Sequence, residues 1–582
     1  MIKLLRFFNR KQWFLILISF GLIVSQVGLE LKMPDYMSEI TRLVQTEGSK
    51  MNDILYNGMF MLICAFGSLL LAFIVGYIIS FLTASFSLKI REALFKKVEK
   101  IAFNEVKKFS VSSLITRTTN DVTQLEMLIG MGLQLLIKAP VTAIWAITKI
   151  LNKNIDWSIA TGIAIVILLS TISIIMSIVV PKFKILQKLT DKLNGVTREN
   201  LNGIRVIRAF NAEKFQENKF EEVNNELTNT QLFNQKKFAL FSPIMYLVLY
   251  FLTLIIYMIG AYLIKDAQLS MKLTLFSDMV VFSSYAMQVI MSFLMLAMIF
   301  MLLPRAGVSA KRINEVLETE ETIKDGSRDS KTEETGTVEF KNVSFKYPDA
   351  EEYLIKNISF KVNKGETVAF IGSTGSGKST LINLVPRFYD VTEGEVLIDN
   401  VNVKDYKISE LNNKLGYVSQ KAVIFNGSIK NNIKFGNSIN KKTDSIIKEA
   451  IKVAQAEEFV NKMDKGYNSH ISSGGTNVSG GQKQRISIAR AIARKPEIYI
   501  FDDTFSALDY KTDSILRKEL KKYTKDATTL IVAQRIGTIM NADKIIVLDN
   551  GKCVGMGTHD YLLKKCSVYK QIALSQLSKE EL

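Results

Sequence analysis

Gly372-Ser373-Thr374-Gly375-Ser376-Gly377-Lys378-Ser379 carries the pattern G-x-x-x-x-G-K-[ST] in full. The run Thr367 to Ile371 before it reads as a strand, and Thr380 to Leu384 after it opens a helix. A phosphate-binding loop needs that context: glycines let backbone N–H groups wrap the phosphates at a helix start. Lys378 would neutralise β- and γ-phosphate charge, and Ser379 would ligate Mg²⁺. The run from Gly372 through Thr380 is therefore the expected phosphate-binding surface for ATP. Further along, Ile498 to Phe501 is an apolar strand ending in Asp502, with Asp503 next. A buried strand that delivers a carboxylate beside such a loop suits Asp502 to hold Mg²⁺ through its water shell. Short β-like runs (TVEFKNVSF, ETVAFIG, EIYIFDD) alternate with helical ones over 337–582, which predicts an α/β nucleotide-binding domain.

The residues before this domain have a different character. The 582-residue chain is 48% hydrophobic yet 22% charged, a mixture that fits one membrane part and one soluble part. A membrane helix needs roughly 20 mostly apolar residues. Six candidates precede residue 305: Trp13 to about Leu31, Ile54 to Leu88, about Gly130 to Leu151, Trp157 to Pro181, Phe238 to Ile264 and Met279 to Pro304. Lys138 and Lys149, near the ends of the third, are expected to snorkel, Lys138 toward the inner headgroups. Two long connections, 89–126 and 182–237, are rich in Lys and Arg and read as helical. With the basic N-terminus (MIKLLRFFNRKQW, an interfacial elbow leading into a retained span) they place the N-terminus, the long loops and the ATPase domain in the cytoplasm. The charged stretch 305–336 is expected to be a linker.

The formal net charge of +18 follows the inner loops and forms no separate basic domain, so membrane lipid is an expected partner and nucleic acid is not. Cys64, Cys553 and Cys566 have no CxxC or metal spacing, so neither a disulfide framework nor a zinc site is indicated. The two histidines are His470 and His559.

Val478-Ser479-Gly480-Gly481-Gln482, just before the helical run KQRISIARAIAR, resembles the signature of ABC ATPases, usually LSGGQ. The resemblance covers essentially the whole chain in the exporter order, membrane domain first and ATPase second. It implies an α-helical six-span domain with long cytoplasmic extensions, fused to an α/β P-loop ATPase. It also implies a head-to-tail pair of chains that sandwiches two ATP molecules, with Ser479, Gly480, Gly481 and Gln482 capping the ATP of the other chain. Tyr347 in VSFKYP resembles the aromatic residue that stacks on adenine. Gln420 in YVSQ resembles the glutamine that touches Mg²⁺ and relays the nucleotide state, and Ser506 to Asp509 resembles the D-loop. LITRTTNDV and ENLNGIRVIRAFNAE resemble intracellular exporter loops, with coupling helices expected near 104–112 and 210–218.

Three positions depart from the family. The residue after the Mg²⁺-binding aspartate is normally Glu, the general base; here it is Asp503, one methylene shorter. A misplacement of about 1 Å can cost roughly a hundredfold in rate. The switch histidine is Gln534, in IVAQRIGT, a side chain that donates a hydrogen bond but cannot carry a proton. Ser473, in ISSGG, stands where exporters usually have a glutamate. These changes predict a site that binds ATP and hydrolyses it slowly, beside an intact signature that serves a partner's ATP. The expected assembly is a heterodimer with a second half-transporter, resembling the asymmetric bacterial multidrug exporters; a slow homodimer is the alternative. Met287, Met291, Met295 and Met298 form one helical stripe in the sixth span, suited either to plain packing or to a cavity for varied apolar shapes. ATP-driven export of hydrophobic or amphipathic small molecules across the cytoplasmic membrane is the expected function. A lipid or lipopeptide flippase and an ATP-gated channel or sensor subunit are the alternatives.

Overall fold

The computed structural model describes residues 1–577 apart from 47, 152, 330 and 437–443. It divides into two units: Met1–Glu99 with Phe109–Thr319, and Lys100–Lys108 with Glu320 onward.

The first unit is helical: α1 (Arg10–Gln45), α2 (Met51–Lys100, whose last residue groups with the second unit), the short α3 (Phe103–Lys108, wholly in the second unit), α4 (Val111–Thr118), α5 (Asn120–Met127), α6 (Leu133–Leu151), α7 (Ile155–Ala209), α8 (Glu213–Ala239), α9 (Phe241–Asp266) and α10 (Leu269–Leu317). Six segments among the described residues are long and apolar enough to cross a membrane. Their outer faces carry bare aromatics such as Phe66, Phe73 and Tyr77, which suit lipid rather than water. Between α5 and α6 the chain makes a π turn, Leu128–Gly132, at the predicted start of the third span.

Several expectations are refined. The sixth helix does not end at Pro304 but runs on to Leu317, into the stretch expected to be linker. Proline costs the helix one hydrogen bond and crowds the carbonyl one turn back, and the amphipathic residues beyond it offset that cost by packing. Ala306, Ala310, Ile313 and Val316 recur at spacings of three and four, and all four are buried. Lys138 does not reach for the headgroups. Its Nζ lies 2.8 Å from Glu30 Oε1, which also accepts from Gln26 Nε2 at 2.9 Å and Ser68 Oγ at 3.1 Å. A carboxylate among apolar helices is costly unless paired, and pairing holds the lysine within the bundle. Near 104–112 a short helix does occur, as α3. Near 210–218 there is instead a sharp joint between two long helices, with Asn211 at φ +50°. In the methionine stripe Met287, Met291 and Met298 each keep a little under half of their surface exposed on this chain.

Among the described residues the second unit holds twelve strands: β1 (Val338–Phe345), β2 (Ile355–Val362), β3 (Thr367–Gly372), β4 (Glu393–Ile398), β5 (Val401–Asn402), β6 (Leu415–Val418), β7 (Gly427–Ser428), β8 (His470–Ile471), β9 (Ile498–Asp502), β10 (Thr528–Val532), β11 (Lys544–Asp549) and β12 (Lys552–Gly557). The main sheet runs β12-β11-β3-β10-β9-β6, and the five strands from β11 to β6 are parallel. Parallel strands are covered on both faces, so they read as continuous apolar runs. Here Ala369 and Ile371 of β3 enter one core with Phe501 and Ile486, while Val368 and Phe370 enter the other with Ile500 and Leu530. The period of two thus splits each strand between two cores.

Candidate nucleotide-binding site

Open parallel sheets gather their ligand groups outside the carboxyl ends of the strands. Four connections leave that edge: Gly372 to Gly377 after β3, Gln420 after β6, Asp502 and Asp503 at the end of β9, and Gln534 after β10. Pairing of Val532 with Asp502, and of Val418 with Phe501, sets these segments level with one another.

The loop after β3 depends on glycine at two points. A Cβ on Gly372 would lie 2.0 Å from the Leu548 carbonyl oxygen, and Gly377 holds φ +94° at the turn into the helix Lys378–Asn383. Lys378 is buried, and its Nζ donates to the carbonyls of Gly372 (2.9 Å) and Ser373 (2.7 Å) and to Ser376 Oγ (3.4 Å). The ammonium therefore fixes the shape of the loop that would wrap the phosphates. Burial pulls it below its ordinary pKa, against the opposing pull of Asp503 and Asp502.

Ser379 Oγ donates to Asp502 Oδ1 at 2.7 Å, so two of the three residues expected to serve Mg²⁺ already meet. One hydroxyl and one carboxylate suit an ion that keeps several waters and takes its remaining ligands from phosphate. Bound there, Mg²⁺ would supply charge neutralisation at the β- and γ-oxygens. Burial raises Asp502 above its ordinary value, the Ser379 hydrogen bond opposes this, and the neighbouring Asp503 charge adds to the rise.

The two departures at the base and switch positions turn out to touch. Asp503 Oδ2 accepts from Gln420 Nε2 at 3.0 Å and from Gln534 Nε2 at 2.8 Å. Asp503 is buried, sits at φ +45° and donates its N–H to the Val532 carbonyl. A positive φ is strained for most residues but tolerated by Asp, and such strain gathers at functional sites. Burial raises its carboxyl above the ordinary value, against the hydrogen bond from Gln420, the charge of Lys378 and the bond from Gln534. Asp503 Oδ2 is thereby held by two amide N–H donors. Gln420, expected at Mg²⁺, donates in this structure to Asp503.

Gln576 was not flagged by the sequence. Its Nε2 donates to the Gln534 carbonyl at 2.7 Å, and its Oε1 accepts from the Ile536 N–H at 2.8 Å. It stands just past the helix Ser567–Leu574, anchored by buried Tyr569, whose hydroxyl lies 2.7 Å from His559 Nδ1. One amide therefore braces the switch loop from the C-terminal helix. Replacing Gln576 by Ala should speed hydrogen exchange at the Ile536 amide about tenfold, the loss of roughly one net hydrogen bond. An unchanged exchange rate there would show that the loop holds itself.

Tyr347 is half-buried. Its hydroxyl pairs with Thr380 Oγ1 at 3.0 Å, and its ring stands edge-on to Phe345 and Tyr389. Lys107 Nζ, from α3, lies 5.5 Å from the Tyr347 ring centroid and 3.4 Å from the Tyr389 hydroxyl. Phe103 packs on Phe388, and Glu105 accepts from Thr322. At the signature, Ser479 caps the helix Gly480–Arg494: its Oγ accepts from the Gln482 N–H, and Gln482 Oε1 accepts from the Ser479 N–H. Ser479 and Gly480 are exposed, as residues offered to another molecule must be. Neither histidine lies at the switch: His470 is on β8, and His559 is in the Tyr569 contact.

Residues 15–302 match the ABC transporter transmembrane region family, and residues 355–506 match the ABC transporter family. An uncharacterized ABC transporter ATP-binding protein of Mycobacterium tuberculosis is 36% identical over 517 residues, covering 88% of this chain and 86% of that protein. The chain belongs to the ABC transporter family. This transporter is also 35% identical over 519 residues to the ABC transporter ATP-binding protein YfiB of Bacillus subtilis, covering 88% and 89% of the two chains. A putative multidrug export ATP-binding/permease protein of Staphylococcus aureus is 46% identical over 237 residues, 41% of each chain. The fold is that of a bacterial Atm1-family ABC exporter solved with ATP bound, at TM-score 0.85 and 21% identity over 98% of this chain and 100% of that one. The transporter is therefore a multi-pass membrane protein of the ABC exporter fold whose ATPase domain couples ATP hydrolysis to transport.

Proposed function

We propose that the chain is one half of a heterodimeric exporter that drives hydrophobic and amphipathic small molecules out across the cytoplasmic membrane, with its ATPase domain on the cytoplasmic side. Its own ATP site serves mainly to bind and hold nucleotide. Tyr347 meets adenine, Gly372 through Thr380 wrap the phosphates, and Ser379 and Asp502 hold Mg²⁺. Ser479 to Gln482 complete the faster site on the partner chain.

One observation carries the asymmetric reading: Asp503 is tied by both Gln420 and Gln534. A base tied in this way leaves the site able to bind ATP but slow to activate water. The exposed methionines of α10 and the multidrug export relative from Staphylococcus aureus support a substrate of varied apolar shape. Export is tested with inverted vesicles holding this chain and its partner. Uphill, ATP-dependent accumulation of a lipophilic dye is expected, whereas dye that only equilibrates would identify a gated passive path.

A further inference from the structure

A cavity of about 360 Å³ lies on the ATPase domain at the amino ends of β3, β9 and β10, the opposite edge of the sheet from the nucleotide site. β10 runs between β3 and β9. Neighbouring strands stand about 4.8 Å apart, so the segments leading into β3 and β9 are separated by roughly 10 Å. Lys364 enters the cavity from the first segment, and Lys495 and Pro496 enter from the second. Tyr499 of β9 and Tyr523, the last residue of the helix Tyr510–Tyr523, form the inner wall. The volume falls in the range of small-molecule sites.

Tyr499 is 2% exposed, yet its hydroxyl makes no hydrogen bond to a described residue. Buried hydroxyls are normally satisfied. Its ring sits in the core with Phe501 and Leu520, so the little surface that it shows faces the cavity. Burial pushes the phenol above its ordinary value, and the Tyr523 phenol adds to the rise, so the hydroxyl stays a proton donor. Two cations join it. Lys364 Nζ donates to Thr335 Oγ1 at 3.2 Å and pairs with no carboxylate among the described residues. Lys495 Nζ stands over the Tyr523 ring, 6.0 Å from its centroid, and 3.7 Å from Glu449 Oε2, too far for a hydrogen bond. Residue 495 holds φ +52°, a left-handed conformation that costs a lysine energy and that gathers at ligand sites. Glu497 adds no unpaired charge, since Lys414 Nζ lies 2.9 Å from its Oε2. Asp526 is exposed on the rim, and its charge disfavours a ligand with several anionic groups.

We infer that this cavity binds a compact aromatic phosphate monoester: its phosphate accepts from Lys364, Lys495 and the Tyr499 hydroxyl, and its ring lies against Tyr523 and Pro496. Three donors match the three terminal oxygens of one phosphate, and charge-assisted bonds of this kind are the strong ones. The Tyr523 ring and the buried Pro496 offer flat apolar surface, which suits a planar ring. A cation is repelled by the two lysines, and a neutral ring leaves all three donors unmet. The site is separate from the ATP site and does not depend on the export reading.

The test titrates the full chain in phosphatidylcholine nanodiscs with 1-naphthyl phosphate, read by naphthyl fluorescence. Saturating Mg²⁺ and a non-hydrolysable ATP analogue keep the phosphate-binding loop occupied. The probe should bind saturably, and 1-naphthol and inorganic phosphate should each bind at least tenfold more weakly. Tyr499→Phe, Lys364→Gln and Lys495→Gln should each weaken the probe about tenfold, the loss of one charge-assisted bond. Lys522→Gln, an exposed lysine paired with Glu519 outside the cavity, should change nothing. Tyr499→Phe should leave the melting temperature unchanged or higher, because no bond is lost with the hydroxyl. A fall there would show the hydroxyl already bonded and overturn the site. Absence of saturable binding, or wild-type affinity in all three cavity variants, overturns it too, as does an equal loss in Lys522→Gln. Equal binding of 1-naphthol overturns the anionic class, and equal binding of inorganic phosphate overturns the aromatic one.

Discussion

Changing Asp503 to Glu and Gln534 to His in the same chain is expected to raise single-turnover ATP cleavage at this chain's own site by about a hundredfold. The two positions share one oxygen: Asp503 Oδ2 accepts hydrogen bonds from both Gln420 and Gln534. Replacing Gln534 removes one of those donors and supplies a ring that can share a proton. Lengthening Asp503 by a methylene carries the carboxylate out from the strand end. One cost opposes the gain, since residue 503 sits at φ +45° and Glu tolerates the left-handed region less well than Asp. That cost is on the order of 1 kcal/mol. A hundredfold gain corresponds to about 2.7 kcal/mol, so the gain wins. Either single change should give much less, because each leaves one amide on the carboxylate or leaves the carboxylate short. Rapid-quench measurement of bound ³²P-labelled ATP checks this. Equal rates for the wild-type and doubly changed chains would show that something other than this cluster limits cleavage.

Lys378→Ala is expected to weaken MgATP binding to this chain by roughly a hundredfold or more. Two charge-assisted bonds to phosphate at about 1.5 kcal/mol or more each would be lost, and each 1.4 kcal/mol is tenfold. A second loss comes before nucleotide arrives. In this structure the ammonium ties the carbonyls of Gly372 and Ser373, and Ala leaves both without that donor. The loop should then lose its fixed shape, so the melting temperature should fall even without ATP. Calorimetric titration and thermal melting with and without MgATP separate the two effects. Affinity within threefold of wild type would show that backbone N–H groups alone hold the phosphates.

Much of the nucleotide site could be read from the chain itself. Its groups sit at the ends of strands, and each strand announces itself as an apolar run. Gly372 to Ser379 follow β3, and Asp502 ends β9. The membrane spans were legible for the same reason, since crossing a bilayer demands a long apolar helix. Their ends were not: the stretch 306–316 looks polar by composition, and Ala306, Ala310, Ile313 and Val316 are buried because a helix groups them on one face. Contacts between distant segments were beyond reach as well. Gln420, Asp503 and Gln534 converge because β6, β9 and β10 are neighbours, which no spacing in the chain encodes. Gln576 carries no local signal, because its role depends on where Tyr569 anchors the last helix. The Glu30–Lys138 pair joins two spans more than a hundred residues apart, so Lys138 read alone suggested a route to the membrane surface.

The asymmetric reading is tested most directly by Asp503→Asn in the chain assembled with its partner, with steady-state ATPase turnover as the readout. The account predicts turnover within about twofold of the unaltered pair, because the cleaving base belongs to the other protomer. A loss of about a hundredfold would contradict it and make Asp503 the working base of the pump.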